Sequence, residues 1–106
     1  MPQDLKKAAE HVEIAAKKGL ADAQHMIGKM YMGGQGVIKN YEKALYWLKK
    51  VAEQDHPGAA FEVAKFYYNG IVVNKDKSVA DVFLKKAASL GHEKSIEALK
   101  RRRMNG

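Results

Sequence analysis

The chain has 106 residues, of which 46% are hydrophobic and 29% charged, and its formal net charge at pH 7 is +7. This composition is typical of one soluble domain and argues against a disordered chain, which is too polar to bury a core. The lack of cysteine excludes a disulfide framework and a thiolate metal site. Because the N-terminus shows no signal-peptide pattern and no apolar run approaches the ~20 residues of a membrane span, we expect a cytoplasmic protein.

Six segments, taken in chain order, predict six helices, because their apolar and small residues recur at helical spacing. The segments cover about residues 3–18, 21–32, 41–54, 57–69, 77–90 and 93–103. Asn40 and Asp76 precede the third and fifth segments, where their side-chain oxygens can accept hydrogen bonds from free backbone N–H groups. Gly19 and Gly91 follow segment ends, where a left-handed residue is favoured. Since no segment alternates for long between apolar and polar residues, we predict an all-α fold.

The second half of the chain repeats the first. Residues 23–58 align with residues 59–94 without a gap, at a period of 36, and twelve of the aligned positions are identical. One helix pair cannot bury its apolar face alone, whereas stacked pairs can, so this period predicts a solenoid of helix pairs. We expect a single domain over residues 1–106. It comprises a half-repeat at 1–22, full repeats at 23–58 and 59–94, and a C-terminal half-repeat or cap at 95–106.

The glycine-rich segment GKMYMGGQGVIKN, at 28–40, invites comparison with a phosphate-binding loop. Such loops follow a strand and begin a helix, whereas this segment follows a predicted helix. In its copy at 64–76, two glycines of the cluster are replaced by Asn69 and Val72, but Tyr67, Gly70 and Val73 are retained. The retained residues indicate a packing aromatic, a turn glycine and a buried valine, so the segment is predicted to be a turn between two helices.

The loop, the spacing and the period together resemble the Sel-1-like repeat, a relative of the tetratricopeptide repeat. In the first copy the repeat motif is carried by Tyr31, Gly34, Gly36, Val37, Ala44 and Trp47. In the second copy it is carried by Tyr67, Gly70, Val73, Ala80 and Phe83. Val72 and Asp55 depart from the motif, because each replaces a usual glycine, and Phe83 replaces the usual tryptophan.

The resemblance implies a right-handed superhelical α/α solenoid of about six antiparallel helices, in which the first helix of each repeat lines a concave surface. Proteins of this kind are typically adaptors, and some are immunity proteins against bacterial toxins. We therefore expect a non-enzymatic protein–protein interaction module that acts as an adaptor or scaffold. The alternative is a bacterial immunity or regulatory protein that neutralises a toxin or an enzyme by binding it.

The chain offers no recognisable set of catalytic or metal-binding residues. Cysteine and threonine are absent, and the four histidines include no pair spaced by four residues. His56 and His92 occupy equivalent turns of the two repeats, so their recurrence indicates a structural role. We predict no enzymatic activity, no metal site and no cofactor.

Each first helix also carries side chains that the repeat motif does not use, and these are the predicted partner contacts on the concave face. They lie three and four residues apart, so each set shares one helix face. Aromatic and thioether groups would supply contact area, and cations would favour an acidic segment. The predicted contacts are His25, Lys29 and Met32, then Phe61, Lys65 and Tyr68, and finally Arg101. Packing between repeats is the alternative for the aromatic and thioether groups. We assign to packing in the core or between repeats the residues Met26, Met30, Phe66, Trp47 and Phe83.

The basic C-terminal segment KRRRMNG has two interpretations. Its four cations could contact the phosphates of a nucleic acid. They could instead complement the dipole at the end of a helix, and the lack of interleaved aromatic residues favours this second interpretation. His11 and Arg103 replace the aromatic residues of the complete repeats, which predicts solvent-facing caps and a monomer. The alternatives are an excised fragment, or half-repeat ends that pack against another chain, which includes self-association.

Overall fold

The structure, a computed structural model, describes residues 3–104, without the side chains of Gln3 and Arg103. The expectation for Arg103 therefore lies outside the described side chains. The described residues form six helices and no strand. The helices are α1 (Gln3–Lys17), α2 (Ala21–Gly33), α3 (Tyr41–Ala52), α4 (Pro57–Asn69), α5 (Lys77–Ser89) and α6 (Glu93–Met104). These bounds confirm the predicted helices to within two residues.

The helices divide between two compact units, the first ending at Gln54 and the second beginning at Asp55. In the first unit α2 packs against both α1 and α3. In the second unit α5 packs against both α4 and α6. Helices that follow one another along the chain are thus neighbours within each unit, as expected for helix pairs joined by short turns.

Side chains cap the N-termini of four helices, α3, α4, α5 and α6. The side chains of Asn40 and Asp76 accept hydrogen bonds from the backbone N–H three residues on, at 3.0 and 3.1 Å, which confirms both predicted caps. His56 and His92 do the same through Nδ1, at 3.2 and 3.3 Å. The recurrence of these histidines therefore has a structural cause, since each satisfies a free N–H group at the start of a helix.

The glycine-rich segment and its copy form the same turn in the two units. Gly34 and Gly70 have φ of 66° and 68° and end α2 and α4. After each glycine the loop folds back towards the helix that it follows. The backbone N–H of Asn40 donates to the carbonyl of Tyr31, and that of Asp76 to the carbonyl of Tyr67, both at 2.9 Å. The predicted turn is confirmed. The predicted burial of the retained valine is wrong, because Val73 is only half-buried.

In the first unit, the core depends on two close approaches of the backbone. A Cβ atom on Gly28 would lie 3.0 Å from Cγ of Leu48, so α2 and α3 meet with almost no space between them. A Cβ atom on Gly36 would lie 2.2 Å from the carbonyl oxygen of Leu5 on α1. The buried apolar side chains of this unit are Ala9, Ala16, Ile27, Met30, Tyr31, Ala44, Leu45, Trp47, Leu48, Val51 and Ala52.

The second unit buries a smaller set around α4 and α5. Its buried apolar side chains are Ala59, Ala60, Val63, Ala64, Phe66, Ala80, Leu84 and Ala87. Of the five side chains assigned to the core from sequence, Met30, Trp47 and Phe66 are buried. Phe83 is half-buried and stacks against Tyr67, with 6.2 Å between ring centroids. The assignment of Met26 is wrong, since this residue is 53% exposed.

Candidate functional site

Four of the predicted contact residues meet in the second unit. Phe61, Lys65 and Tyr68 on α4 and Arg101 on α6 line one groove of about 270 Å³, which we call the α4–α6 groove. Small and aliphatic side chains of all three helices form its floor, and Arg102 completes its rim. The complete lining is Phe61, Ala64, Lys65, Tyr68, Ala80, Leu84, Ala98, Arg101 and Arg102. The floor is thus apolar and the rim is cationic.

The position of Lys65 is set by two neighbours on its own helix. Its Nζ lies 3.3 Å from a carboxylate oxygen of Glu62, one turn earlier. The same Nζ lies 5.0 Å from the centroid of the Phe61 ring, in a cation–π contact. The Phe61 ring also lies 4.7 Å from the ring of His92, which holds it against the start of α6. The Phe61 ring therefore lies between the groove and His92, the residue that caps α6.

Arg102 is a groove residue that the sequence analysis missed. It forms an ion pair with Asp81 on α5, and its guanidinium carbon lies 5.1 Å from the centroid of the Tyr68 ring. The hydrogen bond and the charge of Arg102, together with the charge of Lys77, hold the pKa of Tyr68 below its usual range. One signal could have identified the pair: Asp81 occupies the repeat position of the buried Leu45, where a carboxylate needs a cation.

Arg101 differs from the other two cations of the rim. Its side chain is exposed and forms no ion pair with any residue that the structure describes. Phe61 and Arg101 also line a second depression of about 370 Å³, bounded by Lys94, Glu97 and Ala98. Arg101 is therefore the cation of the rim that is most readily available to an incoming anion.

The predicted contacts of the first unit do not converge in the same way. Lys29 is exposed on α2, whereas His25 and Met32 are half-buried on the same helix. None of the three lines the groove of about 540 Å³ that the first unit forms between α1 and α2. That groove is lined by His11, Val12, Ala15, Leu20, Ala21, Asp22, Ala23 and Met26. Its signal in the sequence is a pair of apolar residues, Leu20 and Met26, at positions that are polar in the following repeat.

The described residues contain no group of three or more histidine, cysteine, aspartate or glutamate side chains arranged to hold a metal ion. Among the same residues, no helix combines the length and the apolar character that crossing a membrane requires.

Comparison with known proteins identifies relatives along nearly the whole chain. The model of the Sel1 repeat matches residues 1–20, 21–56 and 57–92. Chitin synthase regulatory factor 2 of Schizosaccharomyces pombe is 31% identical over 90 residues, which are 82% of this chain and 18% of that protein. The chain therefore spans less than a fifth of the length of this relative.

Two solved structures superpose closely on the chain. The Sel1 repeat protein from Oxalobacter formigenes has a TM-score of 0.81 at 32% identity, over 85% of this chain and 37% of that one. The protective antigen c5321 of uropathogenic Escherichia coli, described as having an SLR fold, has a TM-score of 0.87 at 32% identity, over 93% and 21%. The predicted fold class, an all-α solenoid of helical repeats, is confirmed by these similarities.

Proposed function

The chain belongs to the Sel1 repeat family, and on this premise we propose that it is a non-enzymatic module that binds a segment of a partner protein in the α4–α6 groove. Proteins of this family generally mediate protein–protein interactions. The finer proposal concerns which surface of this chain binds, and what it binds.

The observation that carries the proposal is the convergence of Phe61, Lys65, Tyr68 and Arg101 on one groove. These residues were singled out as unused by the repeat motif, and they come from two helices that are not consecutive in the chain. An apolar floor with a polar rim is the usual construction of a peptide-binding surface, since the floor supplies affinity and the rim supplies orientation. Ordered aromatic and arginine side chains are also the residue types that dominate binding energy at interfaces.

The chemistry of the groove favours an acidic segment with one apolar or aromatic anchor. The anchor would lie on the floor formed by Ala64, Leu84 and Ala98, beside the Phe61 ring. A carboxylate of the same segment would accept hydrogen bonds from the guanidinium of Arg101, which has no ion-pair partner among the described residues. Lys65 would contribute less, because Glu62 already neutralises part of its charge.

Lys29 in the first unit is the repeat equivalent of Lys65, and we include it as a further proposed contact. It is exposed and lies on the same side of α2 as the half-buried His25 and Met32. The proposal for these three residues rests on the repeat register, whereas the proposal for the α4–α6 groove also rests on a formed groove.

A regulatory protein that acts by binding an enzyme is the second candidate. It is favoured by the relative from fission yeast, which is named a regulatory factor of chitin synthase. Both candidates use the same binding chemistry and differ in whether the partner is an enzyme. A nucleic-acid role is less favoured, because Arg102 in the basic segment is already engaged by Asp81 and Tyr68.

Selection from a phage-displayed peptide library, with the whole chain as the immobilised target, tests the proposed ligand chemistry. We expect the enriched peptides to share an acidic residue within a few positions of an aromatic or large aliphatic one. Titration of a soluble enriched peptide into the isotope-labelled chain should shift the amide resonances of Phe61, Lys65 and Arg101. Enrichment of basic peptides, or perturbation confined to other surfaces, would contradict the proposal.

A further inference from the structure

Three cations lie near Tyr68, which lines the α4–α6 groove. The guanidinium carbon of Arg102 lies 5.1 Å from the centroid of the Tyr68 ring, and Nζ of Lys77 lies 5.9 Å from it. The hydrogen bond and the charge of Arg102 are the largest causes of the lowered pKa of Tyr68, and the charges of Lys77 and Lys75 lower it further. We call Tyr68, Lys75 and Lys77 the phenol–lysine cluster.

The backbone places both lysines of the cluster beside the end of α4. The N–H of Asp76, the residue between them, donates to the carbonyl of Tyr67 at 2.9 Å, which holds this segment against the last turn of the helix. A Cβ atom on Gly70 would lie 3.3 Å from the backbone nitrogen of Lys75 and 3.4 Å from its Cβ. The backbone that carries the two lysines is therefore held by the turn that ends α4, and a ligand needs to order only their side chains.

The carboxylates near the cluster are engaged by other groups. Asp81 pairs with Arg102, and Asp76 accepts a hydrogen bond from the N–H of Val79 at the start of α5. Neither lysine of the cluster forms an ion pair with any residue that the structure describes, and both side chains are exposed. Arg102 is thus occupied with orienting Tyr68, whereas the two lysines carry charge that no ion pair neutralises.

This arrangement of a phenol among cations belongs to the second repeat alone. Thirty-six residues earlier, the positions of Tyr68, Lys77 and Arg102 are held by Met32, Tyr41 and Phe66. Phe66 is fully buried and Met32 is half-buried, so the fold of the repeat accepts apolar side chains at these positions. The polar groups of the cluster are therefore not required by the packing that the repeats share.

A phosphate monoester fits the cluster better than a carboxylate does. It carries nearly two negative charges at pH 7 and three terminal oxygens, so it can accept hydrogen bonds from a phenol and two ammonium groups together. A carboxylate carries one charge, which Arg101 can neutralise elsewhere on the rim. Because Tyr68 lines the groove together with Ala64 and Leu84, a peptide with its phosphate at the cluster continues onto the apolar floor.

We propose that the α4–α6 groove binds a phosphorylated segment of a partner protein, with the phosphate of a phosphoserine or phosphothreonine held by Tyr68, Lys75 and Lys77. This binding mode rests on the peptide binding proposed above for the groove, and it names the anionic group that is recognised. The Tyr68 hydroxyl donates to one phosphate oxygen, and the two ammonium groups donate to the others. Phosphorylation of the partner therefore switches its binding on.

Two immobilised peptide libraries test this proposal with the whole chain as the soluble binder. Both have degenerate positions on each side of a fixed central residue, which is phosphoserine in one library and glutamate in the other. Individual retained peptides are then synthesised with either central residue, and their affinities are measured by fluorescence polarisation. We expect the phosphoserine form to bind at least about tenfold more tightly than the glutamate form, the effect of roughly one charge-assisted hydrogen bond.

Variants of the cluster decide whether it holds the phosphate. Lys75→Gln combined with Lys77→Gln should remove most of the gain that phosphoserine gives over glutamate, and Tyr68→Phe should remove part of it. Tyr68→Phe keeps the ring that Arg102 contacts, and both lysines are exposed, so the fold should tolerate these changes. The matched control is Lys85→Gln, at an exposed lysine of α5 outside the groove, and it should leave the gain unchanged.

The outcomes separate this proposal from the proposed function of the groove. Equal affinities for the phosphoserine and glutamate forms would overturn the phosphate assignment and leave the binding of acidic segments in place, whereas retention of neither library would overturn both. A phosphoserine gain that persists in the double glutamine variant would show that the phosphate lies away from the cluster. A single-stranded oligonucleotide that binds more tightly than any phosphopeptide, and loses its affinity in the same variant, would assign the cluster to nucleic acid instead.

Discussion

The guanidinium of Arg102 on α6 lies against the ring of Tyr68 on α4, with 5.1 Å between the guanidinium carbon and the ring centroid. Because Arg102 is also paired with Asp81, one side chain ties together α4, α5 and α6. The hydrogen bond from Arg102 is the largest cause of the lowered pKa of Tyr68, ahead of its charge and that of Lys77. The titration of Tyr68 therefore reports whether the rim of the α4–α6 groove is formed.

We expect Tyr68 to ionise at lower pH than Tyr31, whose pKa is raised by burial and by its hydrogen bond to Glu13. A lowered pKa in the folded state means that the interaction with Arg102 stabilises the fold fully above the unfolded tyrosine pKa of about 10. That contribution is lost as the pH falls through the folded pKa of Tyr68. Carbon-13 titration of the tyrosine rings between about pH 8 and 12 measures both groups in one sample.

Arg102→Gln should raise the pKa of Tyr68 towards the ordinary value of about 10 and leave the titration of Tyr31 in place. Tyr31 thus serves as the internal control, because it lies in the other unit and pairs with Glu13. An unchanged Tyr68 midpoint in the variant would show that Arg102 and Tyr68 are not in contact in solution.

Gly36→Ala should destabilise the protein by about 2–4 kcal/mol. The new methyl group would overlap the carbonyl oxygen of Leu5, and the residue has φ of 75°, which disfavours any side chain. Gly19→Ala is the matched control, because Gly19 has φ of 93° but no atom within 4 Å of a new Cβ. Gly19→Ala should lower the free energy of unfolding by only about 1–2 kcal/mol, the cost of a side chain at positive φ. Urea denaturation measures the free energy of unfolding of both variants. Equal losses would mean that Leu5 on α1 does not lie close to Gly36.

Val72→Gly should stabilise the protein by about 0.5–1 kcal/mol, since Val72 is a β-branched residue with φ of 52°. Relief of the backbone strain should exceed the entropic cost of a new glycine, and little packing is lost because Val72 is exposed. Val73→Gly removes a half-buried side chain at the next position and should instead destabilise the protein. Thermal unfolding separates the two variants, and a lower Tm for Val72→Gly would contradict the assigned strain.

The repeat register explains how much of the fold could be predicted from the sequence. Asn40 and Asp76 occupy the same helix-cap position in the two repeats, and Gly34 and Gly70 occupy the same turn position. Each cap and each turn could therefore be predicted from two copies of the sequence pattern. Local rules sufficed here, because caps and turns depend on residues a few positions apart. The register also selected Phe61, Lys65 and Tyr68, which lie on one side of α4.

The remaining features depend on how helices pack, which spacing alone does not determine. Met26 has the helical spacing of a core residue, but the surface it faces is uncovered in the first unit, so it is exposed. The contact of Arg102 with Tyr68 depends on how α6 lies relative to α4, and no local pattern encodes that geometry.

The central claim is that the cationic rim of the α4–α6 groove binds an acidic protein segment, and charge reversal at Lys65 and Arg101 tests it most directly. The measurement is the affinity of the double variant for a peptide enriched on the unchanged chain, compared with Lys85→Glu, an exposed lysine of α5 outside the groove. We predict that the double variant binds the peptide at least about tenfold more weakly and that Lys85→Glu changes the affinity little. The loss of affinity should be smaller at high salt, because salt screens the charges. Equal affinities for the double variant and the Lys85→Glu control would contradict the claim.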